Sequence, residues 1–326
     1  MKRLVMLMFF MLILAAPAFA QESAFPVTIP HKFGSTTLTE MPERVVAIGY
    51  TEQDYWVALG VMPVAVRSWY ADESIAFLPW AEDEAALAGD TTPEILVMPF
   101  GNLNYEAILA LDPDLISAVT AGITQEEYDL LSQIAPTLAQ SDEYVDFGMP
   151  WQEITRTIGL AAGQAAQAET LVEDVEGLIE EARDEYPTFD GKTVAVAYNY
   201  GEARTYGYYT AQDGRGRFFT DLGFVVPEEL NEIAGENFYA DISAERIDLL
   251  EQDVLVFLGL GFAQGGREAI EDDPLIRQLD VYREGRTVFI PAEYDDALQY
   301  SSVLSLAYAL EGIVPELAQA VSDDPA

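Results

Sequence analysis

Side chains suited to nucleophilic or metal chemistry are scarce in this sequence. Its 326 residues include one histidine, His31 in the phrase PHKFG, and no cysteine. Zinc or manganese capture, a Ser-His-Asp triad and a Cys-His pair all need imidazole or thiolate at the site, so this inventory excludes them. His31 has no partner of its kind and reads as a strand or loop residue. Aromatic rings, hydroxyls and arginines are plentiful, and they recur just after short apolar runs. The first half offers Tyr50 and Thr51 after RVVAIG, then Arg67, Trp69 and Tyr70 after PVAV, then Thr120 after DLISAV. The second half offers Tyr198, Asn199, Tyr200, Arg204 and Tyr206 after KTVAVA, Phe262 after DVLVFLGLG, and Tyr294 and Tyr300 after RTVFIP. Rings present stacking faces, hydroxyls hydrogen-bond, and guanidinium forks grip anionic oxygens, so this set is built to bind.

The apolar runs read as strands that position these residues. RVVAIGY (Arg44–Tyr50) precedes the helical pattern EQDYWVALG, and PVAVRSWY, ILVMP and DLISAVTA follow, with the helix YEAILAL between the last two. Short apolar runs alternating with helices imply a parallel sheet covered on both faces. Ligands of such sheets bind beyond the carboxyl ends of the strands, where the residues above fall. From Met149 to Tyr186 the pattern changes. Ile154, Ile158, Ala161, Ala165, Ala168, Leu171, Val175, Leu178 and Ala182 recur at three- and four-residue steps with no interior proline, which predicts one long helix ended by Pro187 and Gly191. A helix of about 35 residues would span roughly 50 Å, the length of a strut. Strand and helix patterns resume with KTVAVAYNYG, DVLVFLGLG and RTVFIP. The predicted fold is α/β: two Rossmann-like lobes with parallel sheets, residues 21–148 and 188–326, joined by one long rigid α-helix over 149–187.

The chain opens with Lys2 and Arg3, an apolar run of 11 residues from Leu4 to Leu14, and Ala-Pro-Ala-Phe-Ala before Gln21. This predicts a secretory signal peptide over residues 1–20, because the run is too short to cross a hydrocarbon core of about 30 Å. With no cysteine to carry a lipid, the expectation is a freely diffusing periplasmic protein. Beyond the signal, 14 basic residues face 56 acidic ones, a charge of −42. Nucleic acid and anionic lipid are therefore poor partners. A saline habitat and ordinary solubility both account for this acidity.

Several phrases, in their order, resemble the ligand-binding proteins of iron–siderophore and cobalamin ABC importers, the class III periplasmic binding proteins. They are PERVVAIGYTEQDYWVALGVMPVAV, NYEAILALDPDLISA, LLSQIAPTL, GENFYADISAERIDLLEQDVLVFL and DPLIRQLDVYREGRTVFIP. The resemblance covers nearly all of the chain beyond the signal. It implies a monomeric binding protein that is not an enzyme, has no cofactor of its own and ligates no metal directly. Its ligand would be an Fe(III)–siderophore complex held between the lobes and delivered to the importer's permease subunits. It further implies that Glu106 in NYEAILAL and Glu245 in ISAERIDLL are the acidic knobs that meet permease arginines; favourable first-turn placement on a helix dipole accounts for them equally simply.

On this reading Arg67 and Arg204 hold the anionic iron centre, and Tyr50, Trp69, Tyr70, Thr120, Tyr198, Tyr206, Phe262, Tyr294 and Tyr300 form the walls. Either arginine could instead be salt-bridged to one of many carboxylates. Tyr198 and Tyr200 share one side of a strand and could belong to the core. Arg215 and Arg217 in DGRGRFF could serve the same anion or simply start a helix. Bare ferric iron on tyrosinates, cobalamin and haem remain open as ligands. A carboxylate-dependent secreted hydrolase survives the histidine count, but no pair of acids is singled out by position. The glycines of LGLGFAQGG lack the helix-opening context of a nucleotide site.

Overall fold

The computed structural model describes residues 24–68, 76–89, 91–199 and 206–322. The predicted signal peptide, Trp69, Tyr70, Tyr200 and Arg204 lie outside the described residues. An antiparallel hairpin comes first, β1 (Val27–His31) with β2 (Gly34–Leu38). His31 is buried there, and burial lowers its pKa. Its Nδ1 accepts from the Phe33 amide at 3.3 Å and its Nε2 lies 3.0 Å from the Thr36 hydroxyl. The single imidazole is a structural group of the hairpin.

Five parallel strands build the first lobe: β3 (Val45–Ala47), β4 (Ala65–Ser68), β5 (Glu94–Val97), β6 (Leu115–Ala118) and β7 (Thr137–Ala139), in the order β5-β4-β3-β6-β7. Four helices connect them: α1 (Glu52–Ala58), α2 (Glu82–Ala88), α3 (Tyr105–Ala110) and α4 (Gln125–Leu131). Side chains alternate across β3, with Val45 and Ala47 in one core and Val46 in the other. A sheet covered on both faces needs such an unbroken apolar run.

The segment between the lobes holds two helices, α5 (Trp151–Ala161) and α6 (Ala165–Glu185), which corrects the single uninterrupted rod over 149–187. The break is a Schellman cap. Gly163 sits at φ 67°, its amide donates to Leu160 O, and the Gln164 amide donates to Gly159 O at 2.8 Å. Those are the 5→2 and 6→1 bonds that close a helix, and glycine takes the left-handed turn without a Cβ penalty. The chain then doubles back. Arg156 bridges Glu169 at 2.8 Å and Gln152 reaches Glu176, contacts possible only between antiparallel neighbours. They approach closely at Gly159, where an added Cβ would collide with the Cβ of Ala168. One helix of the pair, α5, packs on β1 and α1 of the first lobe. The other, α6, turns Ala168, Val172, Val175 and Ile179 inward and lies against the C-terminal helix of the second lobe. The strut is thus the 21-residue α6, braced by α5.

The second sheet contains β8 (Val194–Tyr198), β9 (Tyr206–Tyr209), β10 (Tyr239–Ile242), β11 (Val254–Leu258) and β12 (Thr287–Phe289), in the order β10-β9-β8-β11-β12. It is parallel across β8, β11 and β12, and β9 runs antiparallel to both neighbours. Its helices are α7 (Gly214–Asp221), α8 (Glu228–Ala234), α9 (Gly266–Glu271), α10 (Pro274–Arg277), α11 (Asp280–Arg283), α12 (Ala292–Tyr300) and α13 (Ser305–Ala320). Replacing Gly159 with Leu inserts a side chain into a tight point of the hairpin. Urea unfolding should show a loss of about 1–3 kcal/mol relative to the parent protein.

Candidate ligand-binding site

Strand order in the first sheet reverses between β3 and β6, and the residues that follow those two strands face a cavity shared by both lobes. Its volume is about 350 Å³, within the usual range for small-molecule sites. The first lobe contributes Tyr50, Thr51, Val119, Thr120 and Gln140 from strand ends, with Phe100 and Phe147 from loops. Trp151 and Ile154 enter from α5, so the helix that breaks the predicted rod forms part of the wall. The second lobe contributes Asp213 and Arg215 at the start of α7, Phe238 before β10, and Gln299, Tyr300 and Ser301 at the end of α12.

Phe147 links the two sides. Its ring centroid lies 5.9 Å from Tyr50, 6.1 Å from Phe100 and 6.1 Å from Phe238 across the cleft. It holds φ at 65°, a left-handed conformation costly for a bulky side chain, and a Cβ on Gly122 would strike its ring. Polar ties also cross between lobes. The Tyr55 hydroxyl donates to Ser301 O at 3.2 Å, Gln53 Nε2 to the Tyr300 hydroxyl at 3.3 Å, and the Ser302 hydroxyl to Asp54 Oδ2 at 2.5 Å.

Beneath the cavity α1 buries two carboxyls. Glu52 Oε1 accepts from the Thr120 amide at 2.6 Å and from the Thr120 hydroxyl at 3.3 Å, while Oε2 finds no hydrogen-bond partner among the described residues. Burial raises its pKa to about 7 against the opposing pull of its hydrogen bonds. Asp54, also bonded by Trp80 Nε1 at 2.8 Å, is raised by burial to about 6. A buried carboxyl with one orphaned oxygen is less costly as the neutral acid.

Tyr50, Thr120 and Tyr300 of the sequence-derived set line this cavity. Arg67 does not line it; the site reading for this residue is corrected. The residue is only 3% exposed, and its guanidinium donates to the carbonyls of Met98, Ile48 and Pro99, tying the ends of β3 and β5 together, with the Tyr50 ring at 4.3 Å. It borders a separate groove on the first lobe with Phe100, Tyr105 and Glu127. Tyr198 and Tyr206 are buried in the second lobe, their hydroxyls donating to Asp241 at 2.8 Å and Asp273 at 2.9 Å. Tyr294 fills the seam between α12 and α13 against Tyr308 and Gly312. Phe262 is exposed on the turn after β11, outside the lining. Glu106 and Glu245 are exposed on different lobes, at the start of α3 and of the 3-10 turn Ala244–Leu250.

The cavity residues that sequence reasoning missed include Phe100, Phe147, Trp151, Phe238, Asp213 and Gln299. Only the Asp213 region carried a readable signal, an aspartate capping the helix of DGRGRFF; Asp213 Oδ1 accepts from the Arg215 amide.

Two α/β bodies that share an aromatic crevice and are spaced by a helix define a two-lobed solute-binding protein. The chain belongs to the periplasmic binding protein family, which it matches over residues 45–294. It is 25% identical to the ferric-anguibactin-binding protein FatB of Vibrio anguillarum over 315 residues, covering 89% of this chain and 87% of that protein. Among solved structures it resembles a periplasmic solute binding protein of Mycobacterium smegmatis at 31% identity and TM-score 0.79, covering 91% of this chain and 99% of that one. It also resembles PiaA of Streptococcus pneumoniae in complex with ferrichrome, at 29% identity and TM-score 0.77, covering 90% and 98% of the two chains.

Glu52 gives the fold a pH signature. The folded state keeps a proton that the unfolded chain releases near 4.5, so this stabilisation is complete below that pH and is lost as the pH rises through 7. At constant ionic strength, the parent protein should lose up to about 3 kcal/mol more than Glu52→Gln between pH 5 and pH 8, measured by urea unfolding.

Proposed function

We propose that this protein captures a ferric siderophore between its lobes, outside the cytoplasmic membrane, and delivers it to an ABC importer. The observation that carries the reading is the interlobe cavity at the sheet's switch point, walled by Tyr50, Phe100, Phe147, Trp151, Phe238 and Tyr300. Flat faces with scattered hydroxyl donors suit a chelate whose periphery is apolar and whose core presents oxygens. FatB and PiaA, named for a ferric siderophore and crystallised with one, support the same ligand class. Periplasmic placement is supported by the family. No helix among the described residues is long and apolar enough to cross a membrane. No cofactor is needed, because capture and release involve no bond-making by the protein.

Exposed Glu106 and Glu245, one on each lobe, would meet arginines of the two permease subunits through charge-assisted bonds. Replacing both with Lys should abolish uptake in whole cells while leaving chelate affinity in solution unchanged. Loss of affinity in the double variant would remove the docking assignment.

Trp151 lines the cavity and reports on its occupant. Titration with ferrichrome, ferric citrate and ferric enterobactin should quench tryptophan fluorescence with a Kd of about 1 μM or tighter for at least one of them. Phe147→Ala should weaken that chelate roughly tenfold by removing the ring that spans the cleft. Absence of quenching and of a thermal shift with all three would overturn the reading.

A further inference from the structure

Among the described residues, the polar end of the cavity is built around one pair of opposite charges. Arg215 Nε and Nη2 donate to Asp213 Oδ1 and Oδ2 at 2.6 and 2.7 Å, a bidentate fork. Its Nη1 donates to Gln299 Oε1 at 2.8 Å, and its plane lies 3.7 Å over the Tyr209 ring. Asp213 is held from both directions, because its Oδ1 also accepts the Arg215 amide at 2.8 Å. Both residues line the cavity, and among the described lining residues they are the charged ones. Asp213 is 3% exposed, so the pair is fixed in place and its charges cancel at short range. An anionic ligand meets a guanidinium already committed to a carboxylate, and engaging it would leave that buried carboxylate with the Arg215 amide but without its counter-charge.

The long-range field acts in the same direction. The chain carries a formal charge of −40, and such a surface slows and weakens the approach of anions until salt screens it over a Debye length of about 8 Å.

Resting on the ferric-chelate reading above, we propose that the cavity selects an electroneutral ferric chelate, in which three monoanionic bidentate arms cancel the charge of the iron. Tricatecholate chelates, which keep three negative charges, are rejected, and the Asp213–Arg215 pair is the selecting element. Stacking and hydroxyl donors from Tyr50, Thr120 and Tyr300 then supply affinity that needs no net charge in the cavity. Specificity comes from the arrangement that disfavours the wrong ligand as much as from the one that favours the right one.

The test uses the full exported chain and three probes of graded charge: trianionic ferric enterobactin, neutral ferrichrome and monocationic ferrioxamine B. The parent protein should bind ferrichrome at least about a hundredfold more tightly than ferric enterobactin, with the gap narrowing as salt is raised. Asp213→Asn keeps an oxygen able to cap α7 and removes the charged carboxylate from the arginine's fork, so it should narrow that gap about tenfold or more. Arg215→Gln leaves the carboxylate in excess and should move selectivity the other way, raising ferrioxamine B relative to ferrichrome. The two variants act in opposite senses, so an unfolded Asp213→Asn still leaves Arg215→Gln to decide, and a general loss of structure cannot imitate a reversal. Equal or tighter binding of ferric enterobactin by the parent overturns the proposal, as does an unchanged charge preference in folded variants. If none of the three chelates binds, the ferric-siderophore function itself falls, and this inference with it.

Discussion

The near contact of Gly159 with Ala168 is the constraint on which the rest depends. It lets α5 and α6 lie side by side, so one helix can be fastened to the first lobe while its neighbour is fastened to the second. The pair is a brace, stiffer against bending than a lone rod of equal length. Because Trp151 and Ile154 project from the brace into the cavity, the element that sets the lobe spacing also shapes what fits between them. In a close-packed interior, spacing and wall shape cannot vary independently.

Much of the architecture was legible in the sequence because fully buried parallel strands leave unbroken apolar runs. RVVAIGY, DLISAVTA, KTVAVAYNYG and DVLVFLGLG each hold one of the observed strands. In the second sheet two strands were not legible. The reversed strand β9 reads YGYY, whose glycine clears room for the Tyr198 ring, and β10 reads YADI, with two of its four residues exposed. The helix break was written in the spelling GLAAGQ, but continuous three- and four-residue apolar steps on both sides masked it. Periodicity continues through a Schellman turn when each helix buries one face against the other.

The site was less legible than the fold, for reasons of partnership. Position after a strand does bring Tyr50 and Thr120 to the cavity, and Tyr300 reaches it from the end of α12. Arg67 occupies an equivalent place, but the carbonyls of residues 48, 98 and 99 converge on it, a convergence that only the folded chain creates. Tyr198 and Tyr206 find Asp241 and Asp273, each tens of residues downstream. Aromatic walls that arrive on loops, such as Phe147, carry no periodic mark. Among the described residues, the lining is consequently richer in rings than in cations.

The ties from α1 to the α12–α13 turn join positions 246 to 248 apart in the chain. Contacts of such separation close the largest loop the protein contains, and their entropic cost is met only after everything between has found its place. A chain synthesised amino end first therefore has a complete first sheet long before it has a pocket. Gln299, Tyr300 and Ser301 form the last wall to arrive, so the cavity closes only once residues near position 300 are in place.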